Sequence, residues 1–247
     1  MRTFGLIGYP LAHSFSKKFF TEKFAEEEIA DHQYELFPIE NIAAVVSLIA
    51  ADDSLAGLNV TIPHKVGVMT YLNELDPAAQ TIGAVNRIAI QHKDGQTWLK
   101  GYNTDAYGFQ ESLKPYLKGH HTHALILGDG GAAKAVKYVL DQLQITYLSV
   151  VRTATPNAIL YSDLTEDLLQ KHQVIINTTP LGTFPNVEAA PAIPYQWLTD
   201  QHLAYDLVYN PEETEFLKRA KAKGAAVKNG FEMLQLQAER SWFIWNP

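Results

Sequence analysis

The 247-residue chain contains no cysteine. This absence excludes disulfide bonds, thiolate nucleophiles and cysteine-ligated metal sites. It is compatible with a reducing compartment, and we expect a cytoplasmic protein. The nine histidines are scattered along the chain, and the group at His120, His121 and His123 is more typical of a solvated linker than of a ligand set. We therefore expect no metal site.

Positive charge and long apolar runs are also scarce. The chain has 20 lysines and arginines against 27 acidic residues, a formal net charge of −7, and no block rich in lysine or arginine. This composition argues against a nucleic-acid partner. No apolar run approaches the roughly 20 residues of a membrane-spanning helix, and the N-terminus lacks the apolar core of a signal peptide. We expect no membrane partner, and both a monomer and a homodimer fit the sequence.

What the chain does have is an alternation of strand-like and helical segments, which is typical of α/β proteins. In the first half the strand-like segments are residues 4–8, 34–39, 55–62 and 86–90. Phenylalanines recur at helical spacing between residues 14 and 29, which predicts an amphipathic helix. The Asp94-Gly95 pair predicts a hairpin after the fourth strand.

The second half repeats this alternation and ends in an amphipathic segment. Its predicted strands are residues 123–128, 146–151, 173–177 and 203–209, with a helix over 131–143. We predict an α/β protein of two domains. The substrate-binding domain is residues 1–105, joined by a returning C-terminal helix at 230–247, and the Rossmann-type dinucleotide-binding domain is residues 106–229.

A glycine-rich loop lies between the first strand and the first helix of the second half. Gly128, Gly130 and Gly131 follow the strand, and Ala133 takes the place of the third glycine of the usual pattern. A loop of this kind places the free N–H groups of the helix N-terminus against a pyrophosphate. A tight turn without a ligand is the alternative, but the flanking strand and helix favour a dinucleotide site.

The end of the following strand indicates which dinucleotide is bound. NAD enzymes carry an acidic residue there for the ribose 2′-hydroxyl. This chain has Val151, Arg152 and Thr153 instead. An arginine can pair with a 2′-phosphate, whereas an acid would repel it. Arg152 could be a solvated charge at a strand end, but with the glycine loop upstream we expect NADP rather than NAD.

Polar residues of the first half cluster at predicted strand ends and helix starts. They are Ser14, Ser16, Thr61, Lys65, Asn86 and Asp105. Taken singly, each has an ordinary structural explanation as a cap, a turn residue or a surface charge. If the strands are parallel, however, these residues meet at one edge of the sheet, where ligands of α/β proteins bind. Together they indicate a substrate site.

Several of these motifs resemble those of the shikimate dehydrogenase family. The motifs are GYPLAHSFSK, NVTIPHK, GAVNR, GYNTDAYGF, GDGGAAKAV, INTTPLG and YDLVYNPEETEFL, followed by NGFEMLQLQA. They cover nearly the whole chain in order. The resemblance implies NADP-dependent, reversible reduction of 3-dehydroshikimate to shikimate, a step of aromatic amino acid biosynthesis.

The resemblance also implies roles for individual residues. Lys65 and Asp105 correspond to a catalytic pair that handles the proton, and Ser14 and Ser16 to the ligands of the substrate carboxylate. The other expected substrate-binding residues are Asn59, Thr61, Asn86, Tyr209 and Gln237. The expected cofactor-binding residues are Gly128, Gly130, Gly131, Ala132, Arg152, Thr153, Thr178 and Gly230.

Two departures from the family pattern bear on the cofactor. A second basic residue often follows the arginine, but Ala154 and Pro156 stand at the two candidate positions. Asp129 places an acid in the glycine loop. The alternatives are a quinate/shikimate dehydrogenase that uses NAD, or a catalytically idle sensor that binds NADP and a shikimate-like ligand. A sensor should have lost Lys65 or Asp105, and both are present.

Overall fold

The structure, a computed structural model, describes residues 1–11, 14–93 and 95–246. The chain forms two compact units, residues 1–104 with 238–247, and residues 105–237. The first division lies one residue from the predicted boundary. The C-terminal helix, predicted to return as a whole from residue 230, is divided between the units after residue 237.

Unit 1 contains a six-stranded sheet in the order β2-β1-β3-β5-β6-β4. The strands are β1 (Arg2–Gly8), β2 (His32–Pro38), β3 (Leu55–Val60), β4 (Glu74–Leu75), β5 (Arg87–Lys93) and β6 (Gln96–Tyr102). The helices are α1 (Phe15–Glu26), α2 (Ala44–Ala50) and α3 (Pro77–Ile82), and α4 (Thr104–Leu113) begins at the last residue of the unit's first segment.

The sheet is mixed. The polar residues were expected to meet at one edge if the strands are parallel, and only some of the strands are. β1 is parallel to β2 and β3, whereas β5 is antiparallel to both β3 and β6. The β5–β6 hairpin is as predicted, although Asp94 lies outside the described residues. The common edge is nevertheless retained, because the antiparallel β5 begins where β3 and β6 end. Asn86 precedes β5 and therefore lies at that edge.

Each face of this sheet has its own apolar core. One face is covered by α2 and α3, with Val45, Ile49 and Ala79 buried against the strands. The other is covered by α1 and the end of α8 (Phe231–Trp245), and here Trp245 packs on both Phe4 of β1 and Phe20 of α1. The helical phenylalanine spacing of the sequence thus corresponds to the buried side of α1.

Unit 2 is a parallel sheet in the order β12-β11-β10-β7-β8-β9. Its strands are β7 (His123–Leu127), β8 (Thr146–Val151), β9 (Ala158–Leu160), β10 (Val174–Asn177), β11 (Leu203–Asp206) and β12 (Ala226–Lys228). The helices are α5 (Gly131–Gln142), α6 (Glu166–Lys171) and α7 (Glu215–Lys221). The order reverses at β7 and β10, which is the Rossmann topology, and ligands bind at that reversal.

No helix in the described part of the chain combines the length and apolarity needed to span a bilayer. The same residues contain no group of three or more histidine, aspartate or glutamate side chains arranged to hold a metal ion.

Candidate active site

The turn after β3 fixes the position of Lys65. The backbone N–H of His64 donates to the carbonyl oxygen of Thr61 at 2.9 Å, and the imidazole Nε2 of His64 lies 2.6 Å from the carbonyl oxygen of Ile39. On the other side, the carbonyl oxygen of Lys65 accepts from the N–H of Val85 at 2.8 Å. The backbone of Lys65 is therefore anchored at the sheet edge, and its side chain is half-buried.

Asn86 ties three elements together at the same edge. Its backbone N–H donates to the carbonyl of Tyr102, and its carbonyl accepts from the N–H of Val60. Its side-chain Oδ1 accepts from the N–H of Thr104 at 2.7 Å, and its Nδ2 donates to the Thr104 hydroxyl at 3.0 Å. These bonds hold the start of α4, where Asp105 occupies the first turn. Asn86 thus has the structural role of a turn residue that was considered as the alternative. A contact between Asn86 and the substrate stays a prediction.

The two serines of the first motif have different partners. Ser14 is the N-cap of α1, and its hydroxyl oxygen accepts from the N–H of Lys17 at 3.2 Å. Ser16 is hydrogen-bonded to the phenol of Tyr34, which in turn donates to Oδ1 of Asn59 at 2.8 Å. Ala12 and His13 of the same motif lie outside the described residues.

Tyr34 joins two of the predicted site residues but was not itself predicted, since in β2 it has the pattern of an ordinary core residue. It is buried, and burial raises its pKa above the ordinary value, so the phenol keeps its proton. Tyr34 therefore links Ser16 to Asn59 as a neutral hydroxyl group. Thr61 follows β3 at the same edge, half-buried, with its N–H donating to the carbonyl of Ile7 at 3.0 Å.

In unit 2, the glycine loop has the geometry of an anion site. Gly128 has φ of +98°, and a Cβ atom there would lie 3.0 Å from the Thr178 hydroxyl oxygen. Gly130 caps α5 without a side-chain hydrogen bond, and the space beside Gly130 and Gly131 is open. The cap residue thus has no side chain that accepts hydrogen bonds from the N–H groups of the first turn, at Gly131 and Ala132. These groups and the positive end of the helix dipole favour a bound phosphate.

The acid in the loop is neutralised by a helix residue. Asp129 forms an ion pair with Lys137, two turns into α5. From the sequence, Asp129 looked unfavourable beside a pyrophosphate. The ion pair offsets its charge, so the loop retains its preference for an anion.

Most of the predicted cofactor residues share one cavity of about 810 Å³. Its lining includes Gly128, Gly130, Arg152, Thr153 and Thr178 together with Tyr161 and Ser162, which were not predicted. Arg152 is exposed and its charge acts on Tyr161: burial raises the pKa of this phenol, and the guanidinium opposes that rise. The volume is within the range of small-molecule sites. The open helix N-terminus and the arginine fit the phosphates of NADP.

Several predicted residues of unit 2 lie outside that lining, among them Gly131 and Ala132 of the helix N-terminus and three residues farther along the chain. Gly230 packs against backbone, because a Cβ atom there would come within 2.1 Å of the carbonyl oxygen of Leu207. Tyr209 follows β11 and is 40% exposed. Gln237 is buried on α8 against Gly108, and its Nε2 donates to the carbonyl oxygen of Leu234 at 3.0 Å. Their contacts with ligands stay predictions.

A buried carboxylate at the end of β11 organises the neighbouring loops. Asp206 Oδ1 accepts from Asn177 Nδ2 at 2.9 Å and from the N–H of Val208 at 3.0 Å, and Oδ2 accepts from the Thr214 hydroxyl at 2.5 Å. Asn177 Oδ1 accepts from the N–H of Thr179 at 3.0 Å. The network thus fixes the loop that carries Thr178 into the cavity. Burial raises the pKa of Asp206 to about 6 despite these bonds.

This pKa leads to a prediction about stability against pH. Between about pH 4 and pH 6 the folded protein keeps the Asp206 proton that the unfolded chain releases, so the free energy of unfolding falls as pH rises. Asp206→Asn keeps an oxygen for Asn177 and Val208 and removes the titration. Relative to the unmodified protein, the variant should gain on the order of 2–3 kcal/mol between about pH 4 and pH 7.

Urea denaturation at a series of pH values measures this difference. The control is Glu213→Gln, since Lys221 lowers the pKa of this exposed carboxylate and removing it should produce the opposite trend. Parallel curves for Asp206→Asn and the unmodified protein would show that Asp206 does not titrate in this window.

Comparison with known proteins places these features in context. A sequence model described as the shikimate dehydrogenase substrate binding domain matches residues 6–88. The shikimate dehydrogenase (NADP(+)) of Desulforamulus reducens is 35% identical over 98% of this chain and 88% of its own length. That of Methanocaldococcus jannaschii is 35% identical over 99% of this chain and 91% of its own.

Solved structures agree over the same span. The shikimate 5-dehydrogenase of Thermus thermophilus, in complex with NADP(H) and shikimate, has a TM-score of 0.85 at 30% identity and covers 100% of this chain and 94% of its own. The enzyme of Listeria monocytogenes, in complex with shikimate and NAD, has a TM-score of 0.84 at 26% identity and covers 99% and 91%.

Proposed function

The chain belongs to the shikimate dehydrogenase family, and from that premise we propose that Lys65 and Asp105 are the pair that handles the proton in its reaction. The protein is an NADP-dependent oxidoreductase that interconverts shikimate and 3-dehydroshikimate. The observation that carries this function is similarity over nearly the full chain to relatives of that activity. Its substrate is a small molecule, and we expect it to act in the cytoplasm as part of aromatic amino acid biosynthesis.

The residues of unit 2 provide the cofactor site. When bound, NADP⁺ supplies the hydride acceptor for oxidation of shikimate. The first turn of α5, at Gly131 and Ala132, is suited to the pyrophosphate. Arg152 and Thr153 at the end of β8 are suited to the 2′-phosphate, because a guanidinium forms charge-assisted hydrogen bonds with phosphate oxygens. Tyr161 and Ser162 line the same cavity and offer further hydroxyl groups.

Proton handling is assigned to Lys65 and Asp105. Oxidation of a secondary alcohol removes the O–H proton as well as the hydride, and the reverse reaction must return that proton to oxygen. A positioned amine or carboxylate can accept and return it. Support comes from the anchored backbone of Lys65 and from the bonds of Asn86 to Thr104, which fix the residue immediately before Asp105. Since interacting groups titrate together, the proton belongs to the pair.

The remaining polar residues of the edge are assigned to binding. Ser14 and Ser16, at the N-terminus of α1, are suited to the substrate carboxylate because hydroxyl groups and the helix dipole both favour an anion. The ring hydroxyls of shikimate need donors and acceptors in turn. We assign these contacts to Asn59, Thr61, Asn86, Tyr209 and Gln237.

Cofactor preference provides one test of the site in unit 2. Arg152→Ala removes one charge-assisted contact, so the efficiency with NADP should fall by about 10–100-fold, mainly through KM for the cofactor. The efficiency with NAD should change little, because NAD lacks the 2′-phosphate. Initial rates with each cofactor at saturating shikimate measure both values.

Arg219→Ala is the matched control for this test. Arg219 is an exposed arginine of unit 2 that pairs with Glu215 on α7, so its removal should leave both cofactor constants unchanged. Equal efficiencies with NADP and NAD in the unmodified protein would contradict the assignment of Arg152.

The use of NAD is the second candidate, favoured by the NAD complex of the Listeria monocytogenes relative, and the use of quinate is tested beside it. Purified protein incubated with shikimate or quinate and with either cofactor distinguishes the possibilities by absorbance of the reduced nicotinamide. We expect the fastest reaction with shikimate and NADP. If no combination of substrate and cofactor reacts, the proposed enzymatic activity is contradicted and the ligand-binding sensor is favoured.

A further inference from the structure

Arg87, the first residue of β5, is a buried cation with no counterion among the residues that the structure describes. Its relative exposure is 0%. Its Nε, Nη1 and Nη2 atoms have no hydrogen-bond partner within residues 1–11, 14–93 and 95–246. The guanidinium lies over the indole of Trp245, with Cζ 3.4 Å from the ring centroid.

This stacking satisfies only part of what the side chain requires. An aromatic ring attracts a cation through its negative face, but a guanidinium also has five N–H donors directed at its rim. Buried polar groups of native proteins are nearly always paired, and an unpaired one requires a specific explanation. A negative charge nearby would balance the charge of Arg87.

The surroundings of Arg87 do not supply this group. Among the described residues, the ionisable groups near enough to act on its charge are the phenols of Tyr34 and Tyr102. Burial raises the pKa of both phenols above the ordinary value, so both are neutral. Neither can balance a guanidinium.

The position of Arg87 indicates where an anion could be supplied. In the sheet register Arg87 is directly opposite Asn59 on one side and Tyr102 on the other, so the three side chains share one face. On that face the phenol of Tyr34 contacts both Asn59 and Ser16. The buried charge thus lies behind the hydroxyl group of Ser16, at the edge to which we assign the substrate carboxylate.

We propose that Arg87 is a positioning residue that makes the site selective for a substrate bearing a carboxylate. The inference rests on the proposed function. The guanidinium supplies the positive potential that the serine hydroxyls lack, and it acts through the Tyr34–Ser16 hydrogen bond. Because the guanidinium is buried, this potential is weakly screened. The bound carboxylate then balances the charge of Arg87 across Tyr34 and Ser16.

The test compares shikimate with its methyl ester, which has the same ring but no charge on the carboxyl group. Arg87→Met keeps the length of the side chain and removes its charge. We expect KM for shikimate to rise about 10–100-fold, the size of a Coulombic attraction across a weakly screened interior, with kcat nearly unchanged. KM for the ester should stay the same, so the preference for the acid falls by that factor. In Arg87→Lys, much of the preference for the acid over the ester should return.

Thermal denaturation separates this role from a structural one. Replacing an unpaired buried cation by an apolar side chain should leave the protein at least as stable as before. Loss of stability together with equal losses for the acid and the ester would make Arg87 structural and overturn the proposal. If Arg87→Met does not fold, Tyr34→Phe carries the test, since it breaks the link to Ser16 with Arg87 intact. Unchanged selectivity in Tyr34→Phe would also overturn the proposal.

The unmodified protein distinguishes this inference from the proposed function. If it oxidises shikimate with NADP but the variants keep the preference for the acid, the inference alone fails. If the unmodified protein does not oxidise shikimate, the proposed function and the inference fail together.

Discussion

Lys65→Ala should lower kcat for shikimate oxidation by about 10²–10⁴-fold, with little change in KM. The lysine follows a turn whose backbone is held by hydrogen bonds on both sides, so its removal should leave the site otherwise intact. Substrate would still bind through the serines and the other polar residues of the edge. What is lost is a group that takes the hydroxyl proton in the transition state. Steady-state kinetics at saturating NADP measure both constants.

The control for this variant is Lys114→Ala. Lys114 is a surface lysine that pairs with Glu111, and its removal should leave both kinetic constants unchanged. A Lys65→Ala protein with a raised KM and an unchanged kcat would show that Lys65 binds substrate. The proton would then pass through another group or through water.

Asp105→Asn should lower kcat by a similar factor, about 10²–10⁴-fold, because it keeps the shape of the side chain and removes its charge. The double variant with Lys65→Ala should be hardly worse than the worse single variant. Groups that act as one unit lose their common contribution at the first substitution, so their effects are not additive. The kcat values of the unmodified protein, the two single variants and the double variant form the double-mutant cycle that tests this non-additivity.

Two outcomes would count against the pair. Effects that multiply in the double variant would mean that Lys65 and Asp105 act independently. An Asp105→Asn protein with normal turnover and lower thermal stability would mean that Asp105 only stabilises the N-terminus of α4. Glu111→Gln, which removes an acid later in the same helix, is the matched control and should leave kcat unchanged.

Local sequence patterns predicted most of the fold. The alternation of apolar runs and the Asp94-Gly95 turn identified the longer strands and the hairpin. β9 and β12 were missed because each has only three residues, too few for a period to appear. The direction of β5 against β3 was also not predictable. It depends on the path of the chain between the two strands, in which β4 and α3 occur.

The positions of candidate site residues were predictable where a short motif carries its own geometry. The flanking strand and helix placed the glycine loop, and the turn that follows β3 placed Lys65. The roles of these residues stay predictions. The roles of Tyr34, Arg87 and Asp206 were not visible, because each depends on partners distant in sequence. Tyr34 has the pattern of a core residue and Arg87 that of a charged strand end. Only packing shows that Arg87 is buried.

The most direct test of the function is the stoichiometry of the reaction with shikimate and NADP⁺. We expect the purified protein to form one NADPH for each shikimate consumed, with 3-dehydroshikimate as the product by mass spectrometry. We also expect NADPH and 3-dehydroshikimate to regenerate shikimate, since the reaction is reversible. Lys65→Ala, tested at equal concentration, should form the same product far more slowly. Binding of shikimate and NADP⁺ without formation of NADPH would contradict the account.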